Sequence, residues 1–152
     1  MWKKNTTFVS KFRNMNVLLL FTGGTISMVR DAETGALHPA DIQTFKTYVP
    51  ELFAGDVHVD MFPFEPLLDS SDLNPDNWRQ MAQVVQQHYD AYDGFLITHG
   101  TDTMAYGAAV LSYLIQQSPK PVVLTGAQRS ISQRDTDARE NLLNAAIYAA
   151  DD

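Results

Sequence analysis

The chain has 152 residues, 45 % of them hydrophobic, a formal charge of −7 and no cysteine. That apolar content is enough for one domain with a real core, and the lack of cysteine excludes disulfides and thiolate chemistry and is compatible with a reducing compartment. So acidic a chain is a poor match for nucleic acid, whose phosphates call for clustered Lys and Arg.

The first fourteen residues, "MWKKNTTFVSKFRN", hold four basic residues and no acid, and without them the chain has 7 basic and 18 acidic residues. A secretory signal needs an apolar run of roughly 7–15 residues and a small-residue cleavage site. Neither occurs before Asn16, and no stretch approaches the ~20 apolar residues of a membrane span. Residues 1–15 therefore read as a loose N-terminal extension of a cytoplasmic protein, with 16–152 as the domain. Met15 could serve as the start.

Strands and helices then alternate. "NVLLLF" (16–21) is a continuous apolar run, as expected of a strand buried on both faces of a parallel sheet. The polar segment 29–40 reads as a loop. Asp41 can cap a short helix that turns Ile42, Phe45 and Val49 inward, with Pro50 after its end. "VHVDMF" (57–62) alternates with Val57, Val59 and Met61 on one face, the mark of a strand. "PFEPLLDSSDLNPDNW" reads as a long connection. Asn74 and Pro75 form an N-cap and first-turn pair, and the helix they open carries Trp78, Met81, Val85, Tyr89 and Tyr92 on one core-facing stripe. Strand "FLIT" (95–98), a helix over 104–117 and strand "VVLTG" (122–126) follow. Asp137 and Glu140 have capping-box spacing for a last helix, 138–150. The βαβαβα order predicts an open α/β sheet, mostly parallel, flanked by helices.

Ligands of open α/β sheets sit beyond the carboxyl ends of the strands, and three polar clusters fall there: Thr22-Gly23-Gly24-Thr25, Gly100-Thr101-Asp102-Thr103 and Gly126-Ala127-Gln128. A fourth, Asp69-Ser70-Ser71-Asp72, lies in the long connection. Paired glycines let backbone N–H groups approach an oxyanion closely, although "TGGT" could equally be a tight βα turn that happens to carry Thr. Neither the dinucleotide nor the P-loop glycine fingerprint is present. In "HGTDT", Asp102 or Thr103 could cap the next helix, with His99 a satisfied core histidine. A functional alternative is hydroxyl activation, because Thr is a poor nucleophile without a base or polarising partner. Thr101 beside Asp102 could relay a proton, or Asp102 could bind a substrate ammonium. The four His show no metal-ligand spacing, "DSSD" lacks the acidic spacing of an EF-hand, and no metal or cofactor is expected.

Taken in order, "TGGTIS", "PLLDSSD", "HGTDTMAY" and "KPVVLTGAQ" closely resemble the bacterial L-asparaginases, the cytoplasmic type I group most nearly. The resemblance runs from about Asn16 to Ala150 and covers only the family's N-terminal domain, which implies a flavodoxin-like fold. It implies Thr25 as the nucleophile that attacks the side-chain amide of L-asparagine, yielding L-aspartate and ammonia. Thr101 and Asp102 would act as the hydroxyl and carboxylate of a second triad. Asp69, Ser70 and Ser71, together with Thr101 and Asp102, would hold the substrate. The lysine that completes that triad in the family would lie beyond Asp152, and Ala36 stands where many relatives carry a catalytic tyrosine. The chain is thus expected to be an N-terminal portion of the enzyme, and to associate with itself or with a C-terminal half. A non-catalytic asparagine- or aspartate-binding module and, on fold alone, a flavodoxin-like phosphate binder are the alternatives; turnover separates the first from an enzyme, and the missing fingerprints speak against the second.

Overall fold

The computed structural model describes residues 15–151. The apolar run becomes β1 (Asn16–Gly23), with seven of its eight residues buried. It is flanked on one side by β4 (His58–Leu68) and on the other by β5 (Gly94–Thr98), and β6 (Val122–Thr125) joins β5. The order is β4-β1-β5-β6 and every pairing is parallel, with Leu19 opposite both Met61 and Leu96.

Alternation along β1 sends its side chains to two cores. Val17, Leu19 and Phe21 meet Phe45 of α1 (Ile42–Tyr48), Leu52 of α2 (Pro50–Ala54) and Leu142 of α5 (Ala138–Ala149). Leu18 and Leu20 meet Met81 of α3 (Pro75–Gln87) and Leu111 of α4 (Met104–Leu114). Each such side chain, wholly buried, contributes about 1.5–3 kcal/mol. The rings of Phe21 and Phe45 lie 4.7 Å apart.

Several boundaries depart from the sequence expectation. Segment 29–40 is not all loop: β2 (Met28–Arg30) and β3 (Leu37–Pro39) pair antiparallel. Their turn is closed by Asp31, whose carboxylate accepts from the N–H groups of Glu33 and Thr34 and from the Thr34 hydroxyl. Pro50 does not merely follow a helix; it begins α2, where its missing N–H costs nothing. "PFEPLL" continues β4 rather than connecting it to the next helix. Prolines are tolerated there because β4 is an edge strand. α4 stops at Leu114, three residues short of the expected end. The Asn74 cap forms as expected, as a full capping box with Asn77. α3 ends at Gln87, so Tyr89 and Tyr92 pack on the core from the turn beyond it. The expected extension lies outside the described residues except for Met15, whose carbonyl accepts from His58 N–H at 2.9 Å. No helix among the described residues is long and apolar enough to cross a membrane.

Candidate active site

β1 has β4 on one side and β5 on the other, so the chain's direction across the sheet reverses beside β1, and the carboxyl ends of β1 and β5 mark the switch point where open α/β sheets form their ligand crevice. The clusters containing Thr25 and Thr101 sit at these two ends. Two buried threonines hold the ends together: Thr22 N–H donates to Thr98 Oγ1 at 3.0 Å, and the Thr22 hydroxyl donates to the Thr98 carbonyl. Thr22, Thr98 and Thr125 each sit at or near the end of a sheet strand, a regularity that marks the same edge of the sheet three times.

Gly23 (φ 127°) and Gly24 (φ 84°) turn the chain out of β1 in conformations that L side chains rarely adopt. A Cβ on Gly24 would lie 2.8 Å from Gly100 N, and one on Gly100 would lie 2.2 Å from Ser70 Oγ. A Cβ on Gly126 would meet the His99 carbonyl at 2.6 Å and Thr101 Cγ2 at 3.2 Å. The four sequence clusters therefore converge, with bare backbone at each contact.

Thr25 opens a 3₁₀ turn (Thr25–Ser27) and is half-buried, as is Thr101; Asp102 is exposed. Among the described residues none of these three side chains is engaged in a hydrogen bond, which leaves two hydroxyls and a carboxylate open to a ligand. Ser70 is buried and its carbonyl accepts from the Thr103 hydroxyl at 2.8 Å. Thr103 does stand at the N-cap of α4, but with its hydroxyl turned to Ser70 instead of the helix. Asp69 and Ser71 are exposed. Asp69 Oδ1 accepts from the Ser71 hydroxyl (2.7 Å) and N–H (2.9 Å), and these bonds, the hydroxyl first, hold its carboxyl below the ordinary value.

Two expectations fail here. Asp137 makes no side-chain cap for α5: its carboxylate accepts from the N–H groups of Gln128 and Arg129, at 3.0 Å each. Burial pushes its pKa up, but those two N–H groups and the Arg129 charge outweigh that and leave it lowered. The bond organises the loop after β6, and local spacing carries no sign of it. His99 is buried, with Nδ1 on the Gly100 carbonyl at 2.7 Å, but its Nε2 has no hydrogen-bond partner among the described residues and faces Gly107. Ala36 lies in the hairpin turn, its carbonyl accepting from Asp31 N–H at 2.8 Å. No group of three or more His, Asp or Glu able to hold a metal occurs among the described residues. A cavity of about 530 Å³ between α3 and the end of α4 contains none of the candidate residues.

Hydroxyls, carboxylates and bare backbone thus gather at the switch point of a parallel α/β domain. Comparison with known proteins narrows the class. Residues 16–152 match the family model for the asparaginase N-terminal domain. The chain is 38 % identical to L-asparaginase 1 of Escherichia coli K12 over 136 residues, 89 % of this chain and 40 % of that protein. It is also 38 % identical to the 60 kDa lysophospholipase of Mus musculus, across 88 % of this chain and 27 % of that protein. The crystal structure of L-asparaginase I from Vibrio cholerae superimposes with a TM-score of 0.80 at 36 % identity, covering 89 % of this chain and 40 % of that one. The chain belongs to the asparaginase family and spans at most about 40 % of the length of these relatives.

Proposed function

We propose that this chain carries the nucleophile of a cytoplasmic amidohydrolase that converts L-asparagine and water to L-aspartate and ammonia. The observation that carries the proposal is the convergence of Gly24, Gly100 and Ser70, which brings the Thr25, Thr101–Asp102 and Asp69–Ser71 segments around one crevice. Thr25 Oγ attacks the side-chain amide carbon, and its proton passes through Thr101 and Asp102 to the departing nitrogen. The C–N bond breaks, ammonia leaves, and water then cleaves the threonyl ester to release aspartate. Backbone N–H groups of the glycine turns are suited to hold the tetrahedral oxyanion. Asp69 and Asp102 offer carboxylates to the substrate's α-ammonium, and the Ser70 hydroxyl, joined by that of Ser71 once it leaves Asp69, suits its α-carboxylate.

A second reading, a non-catalytic asparagine-binding module, is favoured by one observation. Neither described lysine stands in the crevice: Lys46 lies over the Phe53 ring and Lys120 is held by the carbonyls of Tyr89 and Tyr92. Ammonia release from L-asparagine, with Thr25→Ala alongside, separates the two. Release that disappears in Thr25→Ala supports the enzyme. A chain that L-asparagine stabilises against heating without any ammonia appearing is a binding module, and a chain indifferent to asparagine refutes both.

A further inference from the structure

We infer that His99 is a positioning residue of the candidate site: its Nδ1–H fixes the Gly100–Thr101 peptide so that the Thr101 N–H is presented to a ligand, and Gly107 is bare so that the ring has room to do this. The inference rests on the functional reading above, because it takes the Thr25, Thr101 and Asp69 segments as one site. It starts from two features that packing alone does not explain. His99 is 1 % exposed, and its Nε2 is sealed from the surface without a hydrogen-bond partner among the described residues. Buried polar atoms are nearly always paired, so an orphan calls for a reason. The other feature is Gly107, which lies within α4 although glycine is a poor helix former. A Cβ there would lie 2.6 Å from His99 Nε2 and 3.3 Å from both Cδ2 and Cε1. An apolar residue at 99 would orphan no nitrogen, and alanine at 107 would suit the helix better. The chain carries neither, and both departures meet at one ring.

What the ring gains is a hold on the residue that follows it. Nδ1 lies 2.7 Å from the Gly100 carbonyl, and a carbonyl only accepts, so the ring proton is on Nδ1. The Gly100–Thr101 peptide is trans. In a trans unit the C=O and N–H point in opposite directions. A carbonyl turned inward to the buried ring therefore turns the Thr101 N–H outward. That N–H has no acceptor among the described residues, and the Thr101 hydroxyl and Asp102 carboxylate beside it are likewise unengaged.

This peptide lies where the segments of the site meet. The His99 N–H donates to the Thr125 carbonyl at 2.8 Å. A Cβ on Gly126 would lie 2.6 Å from the His99 carbonyl oxygen, and one on Gly24 would lie 3.0 Å from its carbonyl carbon. On Gly100 itself a Cβ would meet Ser70 Oγ at 2.2 Å and Ser70 Cβ at 2.5 Å. Position 100 must therefore stay bare, and a bare residue is free to rotate its peptide. The preceding side chain supplies the restraint that residue 100 cannot supply for itself. His99 thus acts through the backbone and touches no ligand.

The test is NMR on the full 152-residue chain, with L-aspartate as the probe. In the wild type, long-range proton–nitrogen correlation should place the His99 proton on Nδ1, a readout that needs no substitution. His99→Leu fills the space without a donor, whereas His99→Asn keeps an N–H near the place of Nδ1. The Gly100 carbonyl carbon and Thr101 amide resonances should move in His99→Leu and stay close to wild type in His99→Asn. L-aspartate affinity, read from the Thr101 amide, should weaken about tenfold in His99→Leu, the factor that one ordinary hydrogen bond represents, and largely recover in His99→Asn. Gly107→Ala, outside the site, should also weaken L-aspartate binding by displacing the ring, and should lose that effect in the His99→Asn background. A wild-type chain that ignores L-aspartate sinks the reading of the site and this inference with it. A chain that binds L-aspartate overturns this inference alone if the proton sits on Nε2, if His99→Leu and His99→Asn bind equally, or if Gly107→Ala acts the same with and without the ring.

Discussion

Gly24 shows how much of the candidate site rests on single atoms. Its φ of 84° and ψ of 171° fall in a region that is essentially glycine's alone. An added Cβ would also press on Gly100 N at 2.8 Å and on His99 C at 3.0 Å. Gly24→Ala is therefore expected to cost of order 1–3 kcal/mol, and because the contact joins two of the clusters, ligand-induced stabilisation should fall further than the melting temperature alone implies. Differential scanning fluorimetry with and without L-aspartate checks this; an unchanged ligand response would break the link between the contact and the site. Asp69 gives a pH prediction. Its pKa is lowered from 3.8 by the Ser71 hydroxyl and N–H, so the turn it holds is favoured above that ordinary value and loses support as pH falls through the lowered folded value. Removing the hydroxyl in Ser71→Ala should move the Asp69 carboxyl titration, followed by NMR, upward towards 3.8. A midpoint that stays put would mean the hydroxyl is not the cause. The candidate residues themselves are legible in the sequence because polar and glycine-rich clusters interrupt apolar runs. The Ser70–Gly100 contact and the Asp137 bonds are not, because each joins residues that local spacing cannot relate.

Elements are legible where one signal dominates. β1 is apolar throughout, and Asn74-Pro75 starts α3 by local hydrogen bonding alone. β4 runs past its sequence expectation because Pro63, Glu65 and Pro66 look like a connection, and only a place at the sheet edge makes them acceptable in a strand. The β2–β3 hairpin leaves no trace in the pattern, since three-residue strands offer almost no periodicity to read. Lys120 illustrates an element held by a distant one. It precedes β6, yet its Nζ donates to the carbonyls of Tyr89 and Tyr92 and lies 4.5 Å from the centre of the Tyr89 ring. Lys120→Met keeps the stem and strands both carbonyls in a partly buried site, at a cost of about 1–3 kcal/mol. Urea denaturation should show a lower midpoint with an unchanged slope, and no loss would mean that water replaces the ammonium freely.

At the scale of the whole molecule, the question is whether two cores separated by one sheet melt as one body. Leu19 and Leu20 are adjacent in β1, both wholly buried, and enter opposite cores. Trp78 packs against the Leu20 core and reports on that side. The sheet joining them is thin: β1 is a single strand, and it pairs with both β4 and β5 along the same residues. Loss of packing on one face must therefore loosen hydrogen bonds that the other face needs, so the chain should unfold in one step. Leu→Ala in such a core costs about 2–5 kcal/mol, a large part of the roughly 5–15 kcal/mol typical of a whole domain. In a Trp2→Phe background, Leu19→Ala should lower the Trp78 fluorescence midpoint in urea about as much as Leu20→Ala does, and far-UV CD should give the same midpoint. If Leu19→Ala leaves the Trp78 transition in place while the CD transition moves or splits, the two cores are separate units, and the crevice at the end of β1 spans a boundary between them.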